Sequence, residues 1–204
     1  MTSLPKNMWL LVIATAINIT GGSFLWPLNT IYMHNHLGTT LTFAGLVLMF
    51  NQGFAILGNL VGGYLFDKIG GYKTLVFGTS SAIVLTILLA FNHSLVPYII
   101  LLILIGFSSG MIGPSMFALA ASIWPEGGRK TFNAVYVAQN IGVALGTALG
   151  GFIANFSFDY IFIGNAIVFS IFFLLVIFTF KPLEKKSTSQ AYTTVIEQSA
   201  KITN

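Results

Sequence analysis

Residues 51–67, NQGFAILGNLVGGYLFD, and residues 139–155, QNIGVALGTALGGFIAN, carry one sequence pattern twice, 88 positions apart. A second pair, Pro27 and Pro114, repeats at an offset of 87. Both copies lie inside long apolar segments, so the pattern predicts an internal duplication of membrane helices. Each copy opens with two amides, and the other matched positions are Leu57/Leu145, Gly58/Gly146, Gly62/Gly150, Gly63/Gly151 and Tyr64/Phe152.

The composition is that of a membrane protein. Of the 204 residues, 55% are hydrophobic and 7% are charged, whereas a soluble domain carries roughly 25% charged residues. The chain has no cysteine, which excludes disulfides and cysteine-ligated metals. The lipid bilayer is therefore the first expected partner.

Six membrane spans are predicted, because a membrane helix needs about 20 mostly apolar residues. Pro27 and Pro114 fall inside the first and fourth spans and should kink them, since neighbouring helices can satisfy the freed carbonyls. The spans are Met8–Met33, Phe43–Phe66, Thr74–Phe91, Leu95–Trp124, Phe132–Phe156 and Phe158–Phe180. They form one domain, residues 1–181, with repeats at about 8–91 and 95–181 and a polar tail or linker at 182–204.

The positive charges predict the orientation. All nine Lys and Arg residues lie before the first span, between spans 2 and 3, between spans 4 and 5, or after span 6. By the positive-inside rule, both termini are expected on the cytoplasmic side. The expected location of the protein is the cell membrane. The net charge of +4 is therefore explained by the orientation of the chain in the membrane. No nucleic-acid partner is expected.

The duplicated unit has three spans. Three is an odd number, so the second copy must lie upside down in the membrane. We therefore predict an all-α membrane fold of six helices arranged as an inverted three-plus-three repeat.

One loop and one helix resemble a known family. Gly63-Tyr-Leu-Phe-Asp67-Lys68-Ile-Gly70-Gly71-Tyr-Lys73 resembles the loop between helices 2 and 3 of the major facilitator superfamily, Gly-x-x-x-Asp-Arg/Lys-x-Gly-Arg-Arg/Lys. It departs at Gly71, where Arg is usual, and Lys73 is displaced by one position. Span 5 carries Gly142, Gly146, Gly150 and Gly151 and resembles the antiporter signature Gly-x-x-x-Gly-Pro-x-x-Gly-Gly, with Thr147 replacing the proline.

The resemblance covers residues 8 to about 181 and is to drug-exporting members. It implies the N-terminal six-helix half of a twelve-helix transporter, with a second six-helix half as the expected partner. It also implies that Asp67 latches the cytoplasmic side closed. A carboxylate at a helix end can attract the positive N-terminal end of a neighbouring helix. The alternative is an ordinary solvated loop.

The same resemblance places spans 1, 2, 4 and 5 around a substrate cavity, with spans 3 and 6 outside. No Asp, Glu, Lys or Arg lies in the interior of a predicted span; Asp159 sits at the outer end of the sixth. A cavity lined by uncharged side chains would suit neutral or amphipathic solutes. The amides could instead only join helices to one another. The candidate cavity residues are Asn18, Asn29, Asn51, Gln52, Ser109, Met111, Ser115, Tyr136, Gln139 and Asn140.

No phosphate loop, paired carboxylates in a span or metal-ligand spacing occurs in the sequence. We therefore expect no catalytic residue, no metal and no cofactor, and a transporter rather than an enzyme. The function expected from the resemblance is secondary export of a lipophilic or amphipathic small molecule by alternating access. The alternatives are uptake of a neutral solute such as a sugar, or a non-transporting membrane module that pairs with a partner or with itself.

Overall fold

The computed structural model describes residues 4–92 and 94–181, apart from the side chain of Asp159, and this part of the chain is helical. The predicted tail, residues 182–204, lies outside the described residues. The elements are α1 (Lys6–Leu25), α2 (Asn29–Asn35), α3 (Leu41–Ile69), α4 (Gly71–Ala90), α5 (Leu95–Gly110), α6 (Ile112–Ile123), α7 (Arg129–Ala154) and α8 (Phe158–Leu175). A 3₁₀ turn, Pro125–Gly127, precedes α7, and a π-helical segment, Val176–Phe180, extends α8.

These elements form six stretches long and apolar enough to cross a membrane, which confirms the six predicted spans. Span 1 is α1 with α2, span 2 is α3 and span 3 is α4. Span 4 is α5 with α6, span 5 is α7, and span 6 is α8 with its π-helical extension. The second span runs Leu41–Ile69 rather than the predicted Phe43–Phe66, because its helical hydrogen bonding continues past the apolar run.

The two repeated prolines interrupt spans 1 and 4. In span 1 the helix stops at Leu25 and resumes at Asn29, around Pro27. In span 4 the break falls at Met111, and Pro114 lies in the first turn of α6. A proline has no N–H, so the carbonyl four residues before each one loses its helical donor.

The inverted repeat is visible in which helices pack together. The most extensive contacts join α1 to α7 and α3 to α5, which are span 1 with span 5 and span 4 with span 2. Spans 1 and 2 of the first repeat correspond to spans 4 and 5 of the second. The pair of spans 1 and 5 therefore corresponds to the pair of spans 4 and 2. The pairing of span 6 with span 1 matches that of span 3 with span 4 in the same way.

Glycines permit the closest of these approaches. A methyl group at Gly62 would lie 2.6 Å from Cα of Met111, and one at Gly150 would lie 2.9 Å from the carbonyl oxygen of Phe24. The partner positions, Met111 and Phe24, are themselves 87 residues apart. Small residues let helix backbones approach closely in lipid, so the repeated glycines hold the two repeats together.

Two apolar clusters occupy opposite levels of the bundle. One gathers the start of α1, the start of α4, part of α6 and the end of span 6, and includes Met8, Leu75 and Phe180. The other gathers the end of α1, α2, the end of α4, α5 and the start of α8, and includes Tyr98 and Phe162. The level between the clusters is where polar side chains collect.

The loop that carries the predicted gating residues turns on a glycine. Gly70 has φ 90° between α3 and α4, a backbone conformation that side chains other than glycine rarely adopt. Because consecutive spans alternate in direction, this loop shares one side of the bundle with Lys6, the α6–α7 connection and Lys181. All the Lys and Arg residues that the structure describes therefore lie on one side.

Candidate functional site

A cavity of about 300 Å³ lies between the two apolar clusters and is open on one side. Its wall is built from α1 and the break after it, the start of α2, α3, α5, the start of α6, and α8. Five of the ten predicted cavity residues line it: Asn18, Asn29, Asn51, Gln52 and Ser109. The structure therefore brings together polar residues that lie up to 91 positions apart in the sequence.

The other five candidates do not line this cavity. Met111 and Ser115 are buried, and the Ser115 hydroxyl donates to the carbonyl of Met111 at 2.9 Å. Tyr136 and Asn140 lie on the exposed face of α7, where the Asn140 amide donates to the carbonyl of Tyr136 at 2.8 Å. Gln139, beside them, is half-buried.

Two of the lining asparagines have structural partners. The Asn51 amide Nδ2 donates to the carbonyl of Leu102 at 2.6 Å, which ties α3 to α5. The hydroxyl of Tyr98 donates to Oδ1 of Asn29 at 2.6 Å, which ties α2 to α5. Each bond occupies one end of an amide, so each side chain has a fixed position at the cavity wall.

The other thirteen of the eighteen lining residues were not predicted from the sequence, and three of them have large or polar side chains in unexpected places. Asn165 and Phe169 belong to span 6, which the resemblance placed outside the cavity, and Trp26 belongs to the break in span 1. Asn165 is 1% exposed and its Oδ1 has no hydrogen-bond partner. The signal available in the sequence was that Asn165 is the one amide of the sixth span.

The cavity wall carries no charge. None of its lining residues is Asp, Glu, Lys or Arg, and the described residues include no group of His, Cys, Asp or Glu that could hold a metal ion. Trp26, Leu102, Ile105 and Phe169 supply apolar surface between the amides. Such a wall fits an uncharged or amphipathic molecule, which can bury an apolar body and hydrogen-bond a polar group.

The glycines of span 5 divide into two groups. Gly142, Gly146 and Gly150 are buried against α1, where Gly146 faces the carbonyl oxygen of Thr20. Gly151 faces open space, as does Gly63 in span 2. Positions four residues apart share one face of a helix, which explains why the spaced glycines pack and the second glycine of each pair does not.

The predicted loop between spans 2 and 3 is reduced to Gly70, and its charged residues lie in the last turn of α3 and the first turn of α4. Asp67, Lys68 and Lys73 are all exposed, and within residues 4–92 and 94–181 no hydrogen bond or ion pair of the Asp67 carboxylate is found. Lys68 Nζ lies 3.0 Å from the hydroxyl of Tyr64 and 5.3 Å from its ring centroid. Gly71 is buried, and a Cβ there would lie 2.5 Å from the ring of Phe66. The ring of Phe66 thus packs over the position where the family pattern has arginine.

Comparison with known proteins agrees with this architecture. The family model described as Major Facilitator Superfamily matches residues 11–201. The uncharacterized MFS-type transporter YttB of Bacillus subtilis is 53% identical over 197 residues, which are 97% of this chain and 49% of that protein. A multi-drug resistance efflux pump PmrA homolog of Lactococcus lactis is 32% identical, over 72% of this chain and 37% of its own length.

Solved structures share the fold. A bacterial homologue of the human drug peptide transporters PepT1 and PepT2 superposes with a TM-score of 0.80 at 18% identity, covering 92% of this chain and 47% of that one. The transporter FucP in the outward conformation gives a TM-score of 0.73 at 20% identity, covering 85% and 42%. The chain thus spans about half the length of the relatives it matches. From its six spans, its repeated glycine contacts and these matches, the chain belongs to the Major Facilitator Superfamily.

Proposed function

We propose that this chain is the N-terminal half of a secondary transporter that exports a lipophilic or amphipathic small molecule by alternating access. The observation that carries the proposal is the cavity between the two apolar clusters, which is lined by amides and aromatic rings and by no charged side chain. An uncharged or amphipathic molecule can bind to such a wall through its apolar body and a few hydrogen bonds, without a charged partner. An enzymatic role is not proposed.

The exposed faces of α3 and α7 support a second six-helix half as the partner. The most apolar stretch of each of these helices is 22% buried, against 33–44% in the other four spans. The relatives are about twice as long as this chain. A second half seated on these faces would cover the open side of the cavity and complete it.

The loop at Asp67 would then act between the two halves. Its carboxylate is exposed at the end of α3 and has no partner among the described residues. The start of a helix in the second half would attract it through the positive helix dipole. If this contact forms in just one of the two conformations, it shifts the balance between the inward-open and outward-open forms.

The direction of transport is proposed as outward, with both termini cytoplasmic. The similarity to a protein named as a multi-drug efflux pump supports export. The second candidate is uptake of a neutral solute such as a sugar. The five lining amides favour this alternative because amides can hydrogen-bond hydroxyl groups; they are Asn18, Asn29, Asn51, Gln52 and Asn165.

The test pairs this chain with the second half of the 53% identical YttB and measures efflux of an uncharged lipophilic fluorescent dye from cells. Gln52→Leu changes an exposed amide that lines the cavity, and Asn140→Leu changes an exposed amide that does not. We expect Gln52→Leu to alter efflux several-fold and Asn140→Leu to leave it unchanged, with efflux normalised to the protein in the membrane. Equal efflux from all variants and from cells without the chain would overturn the proposal. Uptake of labelled neutral sugars in place of dye efflux would favour the second candidate.

A further inference from the structure

We propose that Lys73 and Lys181 form a binding site for an anionic phospholipid, whose phosphate lies between the two ammonium groups and whose acyl chains lie along α4 and span 6. The site is separate from the substrate cavity, since neither lysine lines it. The inference does not depend on the proposed transport function. It assigns a partner to a lipid-facing side of the bundle.

Lys181 continues a lipid-facing stripe of span 6. Exposed apolar side chains recur along this span every three or four residues, so they share one face. Lys181 follows the last of them by three residues and is itself exposed. The stripe therefore ends in a cation. Its apolar members are Ile163, Ile167, Ile171, Leu174 and Phe178.

A second stripe, on α4, begins with Lys73. Exposed apolar side chains follow this lysine at intervals of four and seven residues, which again marks one helix face. The opposite face, with Leu75 and Ala82, is buried. Lys73 is therefore the charged end of a lipid-facing stripe. Its apolar members include Phe77, Val84 and Leu88.

The two lysines lie at the same level of the bundle, on helices that touch. Spans 3 and 6 run in opposite directions, so the start of α4 and the end of span 6 lie on one side. There Leu75, Val176 and Phe180 share one apolar cluster, and α4 contacts the π-helical segment. Lys73 precedes Leu75 by two residues, and Lys181 directly follows Phe180. Both stripes thus carry their cation at the same membrane surface.

One phosphate can contact both ammonium groups. Packed helices lie about 8–10 Å apart, and lysine carries its charge on a flexible stem. Both lysines are exposed, and neither has a hydrogen bond or ion pair with another residue that the structure describes. Asp67 and Glu126 lie on other elements, and Asp159 is at the opposite end of span 6. The two positive charges are therefore available to a ligand.

An anionic phospholipid matches this surface in both shape and charge. Basic pockets between membrane helices bind anionic headgroups, and lysine binds phosphate as a point charge. A zwitterionic lipid carries a cation beside its phosphate and gains less from the lysines. A second half seated on α3 and α7 would leave the stripes of α4 and span 6 in contact with lipid.

The experiment measures which lipid the purified chain retains. The chain in an uncharged detergent is mixed with equal amounts of dioleoyl phosphatidylglycerol, which is anionic, and dioleoyl phosphatidylcholine, which is zwitterionic. Native mass spectrometry then counts each retained lipid. We expect the anionic lipid to be retained about fivefold to tenfold more often. Glycerophosphoglycerol, the same headgroup without acyl chains, should not displace it, because it lacks the contacts with the apolar stripes.

Two pairs of substitutions with the same change of charge distinguish a site from general attraction. Lys73→Gln with Lys181→Gln should abolish the preference for the anionic lipid. Lys6→Gln with Arg129→Gln removes two exposed cations from the same side of the bundle, on α1 and α7, and should keep the preference. Lys73→Arg with Lys181→Arg retains both charges and should also keep it. If the first pair fails to fold, Lys181→Gln alone should reduce the preference at least twofold.

Three outcomes would overturn the site. The first is equal retention of the two lipids by the unaltered chain. The second is an equal loss of preference in the two glutamine pairs, which would assign the preference to the overall positive charge of that side. The third is displacement of the lipid by glycerophosphoglycerol, which would leave an anion site without acyl-chain contacts. None of these measurements depends on transport by the assembled protein.

Discussion

Gly58 of α3 lies so close to the carbonyl oxygen of Phe107 in α5 that no methyl group fits between them. Gly146 makes the equivalent contact with Thr20, 88 and 87 positions away from these two residues. We predict that Gly58→Ala and Gly146→Ala each destabilise the bundle by roughly 1–3 kcal/mol, because overpacking forces the backbones apart. Thermal unfolding in detergent, followed by circular dichroism, measures the effect.

The matched controls are Gly63→Ala and Gly151→Ala, whose added methyl groups meet open space. Alanine is a better helix former than glycine by about 1 kcal/mol, so these variants should keep or slightly raise the stability. A loss of stability as large as that of Gly58→Ala would contradict the assignment of packing to one face of each helix.

Tyr98→Phe should lower the free energy of unfolding by about 1 kcal/mol, because it removes the 2.6 Å hydrogen bond to Asn29. The remaining ring keeps its stacking on Tyr32, whose centroid lies 5.0 Å away. Tyr160→Phe, at an exposed tyrosine of α8, is the control and should be neutral. Equal effects from both would mean that the Tyr98 bond adds nothing to the hold of α2 on α5.

The orientation can be tested because the chain has no cysteine. Single cysteines at Lys68 and Arg129 should resist an impermeant thiol reagent in intact cells and react after the cells are opened. Cysteines at the exposed His36 and Asn155 should react in intact cells. The reverse labelling pattern would place both termini outside.

Asp67→Asn should reduce transport by the assembled protein while leaving its amount in the membrane nearly unchanged. The residue lies in the last turn of α3, at the end of span 2, so neutralising it has little effect on insertion. If it biases the two conformations, we expect a shift of roughly 1–3 kcal/mol in their balance. Efflux per molecule of membrane protein is the measurement.

Glu126→Gln is the control for that prediction. Glu126 is also an exposed carboxylate, in the connection between α6 and α7 on the same side of the bundle. It should transport normally. Similar losses in the two variants would indicate a general effect of surface charge, and a parallel fall in membrane abundance would indicate defective folding.

The duplication and the six spans could be predicted because they depend on local composition and on repeated spacing. The four-residue spacing of Gly142, Gly146 and Gly150 marks one helix face, and that face is the packed one. Sequence alone could not assign polar residues to the cavity. Whether Gln52 or Asn140 lines it depends on how each helix is rotated about its axis.

Hydrogen-bond partners that are far apart in the sequence could not be predicted from it either. Asn29 and Tyr98 are 69 positions apart, and neither residue type specifies the other. Asn165 was hidden by the apolar residues around it, which match both a lipid-facing helix and a buried one. Burial by α1 and α4 distinguishes these environments, and burial is a property of the assembled bundle.

The crossed packing of the two repeats has a consequence for biosynthesis. The glycine-bearing helix of each repeat packs on a helix of the other repeat: α3 packs on α5, and α7 packs on α1. While the ribosome has released only residues 8–91, Gly58 and Gly62 have no backbone to receive them and face lipid. The α3 helix can dock once span 4 has been inserted, whereas α1 gains its glycine partner only when α7 follows, so neither repeat completes its packing before the other is present.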